Sequence, residues 1–600
     1  MPNQVRDIHQ NFEDQENGLL FEKNISIPLA NSSLPVRCNI YRPLATLKGL
    51  KVPVIMTYGP YGKDIPYKDF HPASFAELNP EQKSRYSAWE TPDPVYWTRQ
   101  GYAVVRVDER GAGQSPGMLD TMSSGTCDAF CQAIEWAAEQ PWSVGRVGLL
   151  GISYYAGTQW RAAAKRPRGL TCIIPWEGMS DYYRDRCRHG GILSDEFIRF
   201  WWNRQVDSNQ YGRPGRSAAS WGEDTIEGSL SPAELEEARQ DQTKDNEEHF
   251  YRNEPYYASR DFRLEDIQVP LLSVANWGGI SLHLRGNVQG YMHASSQFKY
   301  LRFIAGRHDL PFYYKEEVEI QQSFLDAWLK GEDRVGWTKP GAVAPVSILL
   351  RKGNVGYNNP EAEKLFKRRE ELEWPIARTE YQRFHLTPER KLSPTSSDLP
   401  STSSIAYEAN GSIKNQHLVQ FWSDPFEQEV EITGHPLAHL SVSISAAKSS
   451  GIVPHDLDLF VTLRHFDSLN QEVLYTGTIG DPVPLTKGWL RCSLRKVHEH
   501  HPKHRDYLLN REYLSTDVAP LVCGEVYQVD VEIWPTNVVL EKGDRLVFEV
   551  SSGDTEGSGL FLHNSPVDRS KEKLAGFNHI CFGPGTQNYI QLPVIPKNSC

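Results

Sequence analysis

Residues 147–160 read Val-Gly-Leu-Leu-Gly-Ile-Ser-Tyr-Tyr-Ala-Gly-Thr-Gln-Trp, an apolar run, a Gly-x-Ser turn and then residues able to open a helix. That is the layout of a nucleophile elbow, in which a buried strand delivers a serine, here Ser153, to a sharp turn. Gly151 has no side chain to clash there, and the helix that follows aims its first backbone N–H groups at whatever the serine attacks. The generic pattern places a glycine two residues after the serine. Tyr155 stands there instead, and small residues come only at Ala156 and Gly157. A Gly-x-Ser turn is also an ordinary strand-to-helix turn, so the rest of the chain has to supply the other parts of a site.

At 600 residues the chain exceeds a single core, and two to four domains are expected. The formal net charge of -12 argues against a nucleic-acid partner, which would favour a basic face. The start, Met1-Pro2-Asn3-Gln4-Val5-Arg6-Asp7, lacks the basic-then-apolar order of a signal peptide, and no apolar run approaches a membrane span. The nine cysteines are scattered without metal-site spacing, and Cys127 and Cys131, at i,i+4 on an expected helix, read as buried free thiols. These features imply a soluble cytoplasmic protein with no metal, no cofactor, and neither nucleic acid nor membrane as partner. A homodimer is left open.

Residues 24–41 suggest two short strands joined at 30–33. Strands are expected at 51–58, 101–108 and 170–176, with turn-rich loops at 59–63 and 109–115, and an amphipathic helix at 128–139 carrying Ala129, Ala133, Ile134 and Ala137 on one face. Strands alternating with helices imply a parallel, helix-covered sheet whose active residues lie in loops at the strands' carboxyl ends. Residues 182–262, with Trp201-Trp202 and the acidic stretch 234–248, read as a polar helical lid inserted between sheet strands, the charge run being a solvated face. The sheet resumes at 269–277 and 300–306, and a closing helix at 324–329 stops at Lys330-Gly331. Beyond about residue 345 only strands are expected, at 346–350, 437–444, 457–463, 526–533 and 546–550, with a Ser/Pro/Thr-rich surface loop at 393–404. That pattern suggests an all-β jelly roll.

Ser153-Tyr154-x-Ala156-x-Thr158-Gln159-Trp160, Asp108-x-Arg110-Gly111 after a Gly-Tyr-Ala-Val-Val strand, Asp456-Leu457-Asp458-Leu459 and Gly543-Asp544-Arg545-Leu546 together resemble the cocaine esterase/X-Pro dipeptidyl-peptidase family of serine hydrolases. The family usually has glycine where Ala156 stands. The resemblance implies an α/β fold: an α/β-hydrolase core at 1–181 and 263–344, a helical cap at 182–262, and a jelly-roll β-sandwich at 345–600. It also implies acyl transfer from an ester or amide to water through an acyl-serine.

In that scheme Ser153 attacks and needs a base. The base follows the last sheet strand, where Ala305-Gly306-Arg307-His308-Asp309 offers His308. His283, after Trp277-Gly278-Gly279, is the runner-up and is placed instead in the pocket lining. The oxyanion donors are the backbone N–H of Tyr154 and, from the family, a loop tyrosine matching Tyr61, with Tyr58 as the alternative. The family's acid lies in a Trp-x-Asp-Gly segment. Aligning Trp277 puts Gly279 at that place, and no carboxylate occurs from Ile280 to Arg307. Asp309 adjoins His308 and is a poor orienter, because consecutive side chains in an extended stretch point apart. Glu177, at the end of the strand after the elbow helix, is the candidate acid. Asp181 is second choice, though it can instead cap the first lid helix. A Ser-His dyad with Glu177 in substrate binding stays open. Trp176 and Trp277 are candidate pocket walls.

The expected activity is a serine esterase or X-Pro dipeptidyl-peptidase-like hydrolase acting on a small-molecule ester or amide. An acyltransferase or cyclase with the same nucleophile, and an inactive glycan-binding protein, are the alternatives.

Overall fold

The structure, a computed structural model, describes residues 3–396, 401–447 and 451–597. Eleven strands form the first sheet: β1 Gln10–Asp14, β2 Leu19–Leu29, β3 Ser32–Pro43, β4 Val52–Gly59, β5 Ala103–Asp108, β6 Ser143–Ile152, β7 Leu170–Trp176, β8 Leu271–Asn276, β9 Lys299–Ile304, β10 Val346–Leu350 and β11 Lys367–Glu371. Their order is β1-β2-β3-β5-β4-β6-β7-β8-β9-β10-β11. From β5 to β10 all neighbours run parallel, while both edges are antiparallel. Parallel strands require crossovers, and the crossovers cover both faces, so the strands are apolar on both sides. Val54 and Met56 accordingly pack with Phe130 and Ile134 on one face, whereas Ile55 packs with Leu150 and Phe324 on the other.

The covering helices that matter for the site are α1 Ser124–Ala138, α2 Tyr154–Lys165, α3 Leu284–His293 and α4 Lys315–Leu325. Helix α1 starts four residues before the expected 128, because the Ser123 side chain accepts the Thr126 N–H and caps it. The closing helix also starts earlier than expected, and its chain reverses at Gly331, which adopts φ 79°.

Two expectations of organisation need correction. The strand Val346–Leu350, expected to open the second domain, instead pairs in parallel with β9 and extends the first sheet, as does β11 after it. Val346 and Ile348 are buried there, so a strand with apolar residues in alternation suited either sheet. The acidic stretch 234–248 is not one helix. It divides into Pro232–Glu237, whose N-terminus is closed by a Ser231/Glu234 capping box, and Gln242–Glu248. Much of the rest of the 182–262 insert is irregular, punctuated by Gly212, Pro214, Gly215, Gly222 and Gly228.

From residue 380 onward the chain builds an all-β domain. The expected strands appear as Leu437–Ser445, Asp458–Phe466, Tyr527–Glu532 and Arg545–Ser551. Of the expected loop 393–404, Ser393 ends one strand and Ser403 begins another, and residues 397–400 lie outside the described residues. The eight described cysteines are free thiols. Among the described residues no helix is long and apolar enough to cross a membrane.

The insert is tied to the β domain by buried charge. Arg188 of the insert donates to Asp568 at 2.6 Å, and Asp568 also accepts from Arg491, which forks onto Asp458. All four side chains are nearly solvent-free, so neither guanidinium has water to fall back on. Substituting Asp568 with Ala leaves buried cation uncompensated and is expected to cost about 3–5 kcal/mol. The readout is a lower midpoint in thermal or denaturant unfolding.

Candidate active site

Ser153 joins β6 to α2 with φ 61° and ψ -117°, a conformation that side-chain-bearing residues rarely adopt. The turn is closed by the Ser153 N–H, which donates to the Trp176 and Glu177 carbonyls, and by Gly151, where an added Cβ would lie 2.7 Å from the Tyr155 Cβ. Tyr154 is the first residue of α2, so its backbone N–H has no partner within the helix. Its side chain is anchored elsewhere: the phenol donates to Glu109 at 2.9 Å and accepts the Met122 N–H at 2.9 Å.

Ser153 faces a cavity that Tyr61, Glu90 and His308 also line. Trp201 of the insert donates its indole N–H to the Tyr61 hydroxyl at 2.8 Å. That contact occupies a lone pair and leaves the phenol's own hydrogen for another acceptor. Burial keeps this phenol protonated, its pKa raised well above 10. Tyr58, the alternative, stacks on Phe130 in the core and bonds Thr126.

The strand ends β7, β8 and β9 converge beside the elbow. Glu177, just past β7 with φ 48°, places its carboxylate 2.9 Å from His308 Nδ1, in the loop after β9. Asn276, the last residue of β8, donates to the other Glu177 oxygen at 3.1 Å and to the Gly306 carbonyl at 2.8 Å. A Cβ built on Gly279 would lie 3.6 Å from the Glu177 carboxylate. The carboxylate of Glu177 therefore reaches the space that an aspartate at position 279 would enter. Asp181 turns away: it caps the following turn through the Arg184 N–H and pairs with the Arg184 guanidinium. Asp309 pairs with Arg307 and accepts from Ser74.

Two further contacts were not anticipated. His308 Nε2 lies 3.2 Å from the Glu90 carboxylate, so the imidazole is held between two buried glutamates. Ser153 Oγ lies 3.2 Å from His283 Nε2, not at hydrogen-bond distance from His308, and the two imidazoles are stacked with centroids 5.1 Å apart and planes at 11°. His283 thus touches Ser153, where the sequence placed it in the pocket lining. Glu90 sits in Trp89-Glu90-Thr91-Pro92, a loop with no motif, and its φ of 61° gives no sequence signal. Asn276 could have been singled out as a polar residue ending an apolar strand.

Trp176 and Trp277, expected as pocket walls, are core residues. Trp176 packs edge-on against Phe312, and Trp277 stacks on Phe303 at 4.0 Å while donating to the Leu349 carbonyl. As residues of or next to buried strand ends they face the layers between sheet and cover. The apolar part of the walls comes from Phe197, Phe200 and Trp201 of the insert, Leu282, and Ile479 and Leu560 of the β domain, and Gln205, Arg307 and Asp309 add polar and charged surface.

Burial by itself would lower the His308 pKa, but Glu177 and Glu90 outweigh it and push it up to about 10. Burial raises the Glu90 carboxyl, which favours a proton shared between Glu90 and His308 Nε2. Because the folded pKa of His308 lies above its ordinary 6.5, the stability from this pairing is complete below about pH 6.5 and is lost as pH rises through about 10. A base needs the neutral ring, so kcat/KM should climb with pH on the alkaline side. Glu90→Gln removes one negative neighbour and should move that limb to lower pH by about one unit or more. A pH–rate profile of the two proteins checks this.

Residues 34–309 match the X-Pro dipeptidyl-peptidase (S15 family), and residues 341–591 match the X-Pro dipeptidyl-peptidase C-terminal non-catalytic domain. Cocaine esterase of Rhodococcus sp. (strain MB1 Bresler) is 25% identical over 570 residues, 86% of this chain and 93% of that protein. A Xaa-Pro dipeptidyl-peptidase of Lacticaseibacillus casei is 29% identical over 205 residues, 26% of each chain. The crystal structure of a CocE/NonD family hydrolase from Staphylococcus aureus superposes with a TM-score of 0.80 at 25% identity, covering 96% of this chain and 94% of that one. The chain belongs to the cocaine esterase/X-Pro dipeptidyl-peptidase family of serine hydrolases, with an α/β-hydrolase fold and a C-terminal all-β domain.

Proposed function

We propose that this hydrolase cleaves a small carboxylic ester through an acyl-Ser153 intermediate, with His308 as base, Glu177 as the acid that orients it, and the Tyr61 hydroxyl and Tyr154 N–H as oxyanion donors. The observation that carries the reading is that His308, paired with Glu177, lines the same cavity as the strained Ser153. Glu177 at Nδ1 fixes the tautomer whose Nε2 lone pair can take a proton. When the proton shared with Glu90 resides on that carboxyl, Nε2 becomes the base. Attack on the ester carbonyl then forms a tetrahedral oxyanion. Its charge falls to the Tyr61 O–H and the first N–H of α2, donors fixed before the reaction begins. His308 returns the proton to the leaving alcohol, and water repeats the sequence on the acyl-serine.

An ester is favoured over an X-Pro peptide for two reasons. Phe197, Phe200, Trp201, Leu282, Ile479 and Leu560 offer an acyl group an apolar surface, beside the charged Glu90, Arg307 and Asp309 that also line the cavity. Cocaine esterase aligns with 86% of the chain and the matched peptidase with 26%, although X-Pro dipeptidyl-peptidase models match residues 34–309 and 341–591. We read residues 182–262 as a cap, since Phe197, Phe200 and Trp201 reach the cavity from it, and the all-β domain as a jelly roll. Free thiols and a net charge of -12 support a cytoplasmic enzyme acting on small molecules.

A fluorophosphonate probe is expected to label the wild-type protein and not Ser153→Ala. An unlabelled wild type would refute the mechanism. Among acyl p-nitrophenyl esters and aminoacyl-proline amides, turnover should concentrate on the esters, and added alcohol or amine acceptors should leave the product a free acid. Tyr61→Phe should lower kcat by about 10²–10³. Glu177→Gln should lower turnover and labelling together, by up to about 10⁴ in kcat. Loss of turnover at unchanged labelling would instead put Glu177 in substrate binding.

A further inference from the structure

The contact between Ser153 and His283 leaves a question of direction, because either atom can donate. The structure answers it at the far side of the ring. His283 Nδ1 lies 3.2 Å from the backbone nitrogen of Met179, and a backbone N–H only donates. Nδ1 is therefore an acceptor and carries no proton. In a neutral imidazole the proton then sits on Nε2, the atom 3.2 Å from Ser153 Oγ.

The surrounding packing holds this arrangement in place. His283, Gly286 and Asn287 are spaced i, i+3, i+4 and share one face of α3. That face grips the loop after Glu177 at three points. Asn287 accepts the Gly178 N–H at 2.8 Å, and Ser180 donates to the Gly286 carbonyl at 2.9 Å. A Cβ on Gly286 would lie 2.5 Å from the Met179 Cα, so the close approach depends on glycine. The Met179 N–H is thus aimed by tertiary packing. Burial above all, and then the charges of the stacked His308 and of Arg186 of the insert, disfavour a second proton on His283, so its pKa lies well below 6.5.

We propose that His283 is a fixed hydrogen-bond donor to Ser153 Oγ, a catalytic residue distinct from the base. The inference rests on the reading of Ser153 as nucleophile and His308 as base. A serine hydroxyl has one hydrogen and two lone pairs. By filling one lone pair, His283 leaves the serine hydrogen to be given to another acceptor in the cavity, which in the proposed mechanism is His308 Nε2, on the same cavity wall. During deacylation the C–Oγ bond breaks and its electron pair returns to Oγ. The His283 N–H stabilises that charge until His308 delivers a proton, and His283 itself neither gains nor loses one.

The test compares His283→Ala, His283→Gln and His308→Asn with wild type on a p-nitrophenyl ester. His283→Ala should lower kcat by about 10- to 10³-fold, with the rising limb of the pH profile at its wild-type position and with slowed but complete fluorophosphonate labelling. Glutamine, which can present an N–H near the position of Nε2, should recover at least about tenfold of that loss. His308→Asn should abolish labelling. ¹⁵N spectra of histidine-labelled enzyme, with His283 assigned by difference against His283→Gln, should show Nε2 protonated across about pH 5 to 9. The proposal is overturned by an unprotonated Nε2, by kcat for His283→Ala within about twofold of wild type, by no gain of glutamine over alanine, or by loss of labelling in His283→Ala while His308→Asn still reacts. Turnover surviving in Ser153→Ala would sink the hydrolase mechanism instead, and the ¹⁵N measurement would still read the tautomer separately.

Discussion

A single buried carboxylate organises the catalytic end of this molecule. Glu177 ends β7 in a left-handed conformation, accepts from Asn276 at the end of β8, and reaches His308 after β9. Three neighbouring strand ends are thereby linked through one side chain. The family's acid lies in a Trp-x-Asp-Gly segment, which would put it after β8. Here Gly279 occupies that position and leaves room for a carboxylate arriving from the adjacent strand. In the proposed mechanism the acid comes from one strand over and still reaches His308 Nδ1.

Charge burial explains the rest of the local chemistry. Two carboxylates and an imidazole with little access to water are tolerable only when paired, and the Glu177–His308–Glu90 bracket pairs them. The stacked His283 experiences the opposite environment, where burial and then the charges of His308 and Arg186 disfavour a second proton. Two imidazoles 5.1 Å apart are thereby assigned different protonation states by their surroundings. Such separation of titration behaviour is what allows similar groups to take different tasks in one site.

The β domain is part of this site rather than an appendage. The Thr478 carbonyl accepts the His308 N–H, Ile479 and Leu560 wall the cavity, and Gly278 packs so closely on Thr476 that a side chain there would meet its carbonyl. The insert contributes Trp201 to Tyr61 and is itself clamped to the β domain through Arg188 and Asp568. The cavity is a junction of three segments, and its shape depends on buried ion pairs well away from the serine.

Local rules were enough for much of this. The elbow needed only an apolar strand, a glycine and a serine before a helix. The parallel sheet followed from strands alternating with helices, and Ser153 and His308 were picked out as candidates by their places at strand ends. Glu177 could be nominated only with the family resemblance in hand, since Gly279 stands where that family carries its acid. Sequence could not assign Val346–Leu350 to a sheet, since its apolar alternation suits either, and it misplaced Trp176 and Trp277, because an aromatic at a strand end can face the core or the cleft. Glu90 and the Met179 N–H carry no pattern at all. Their roles arise where segments some hundred or more residues apart meet His308 and His283, and only the packing of α3 against the β7 loop decides which nitrogen of His283 bears the proton.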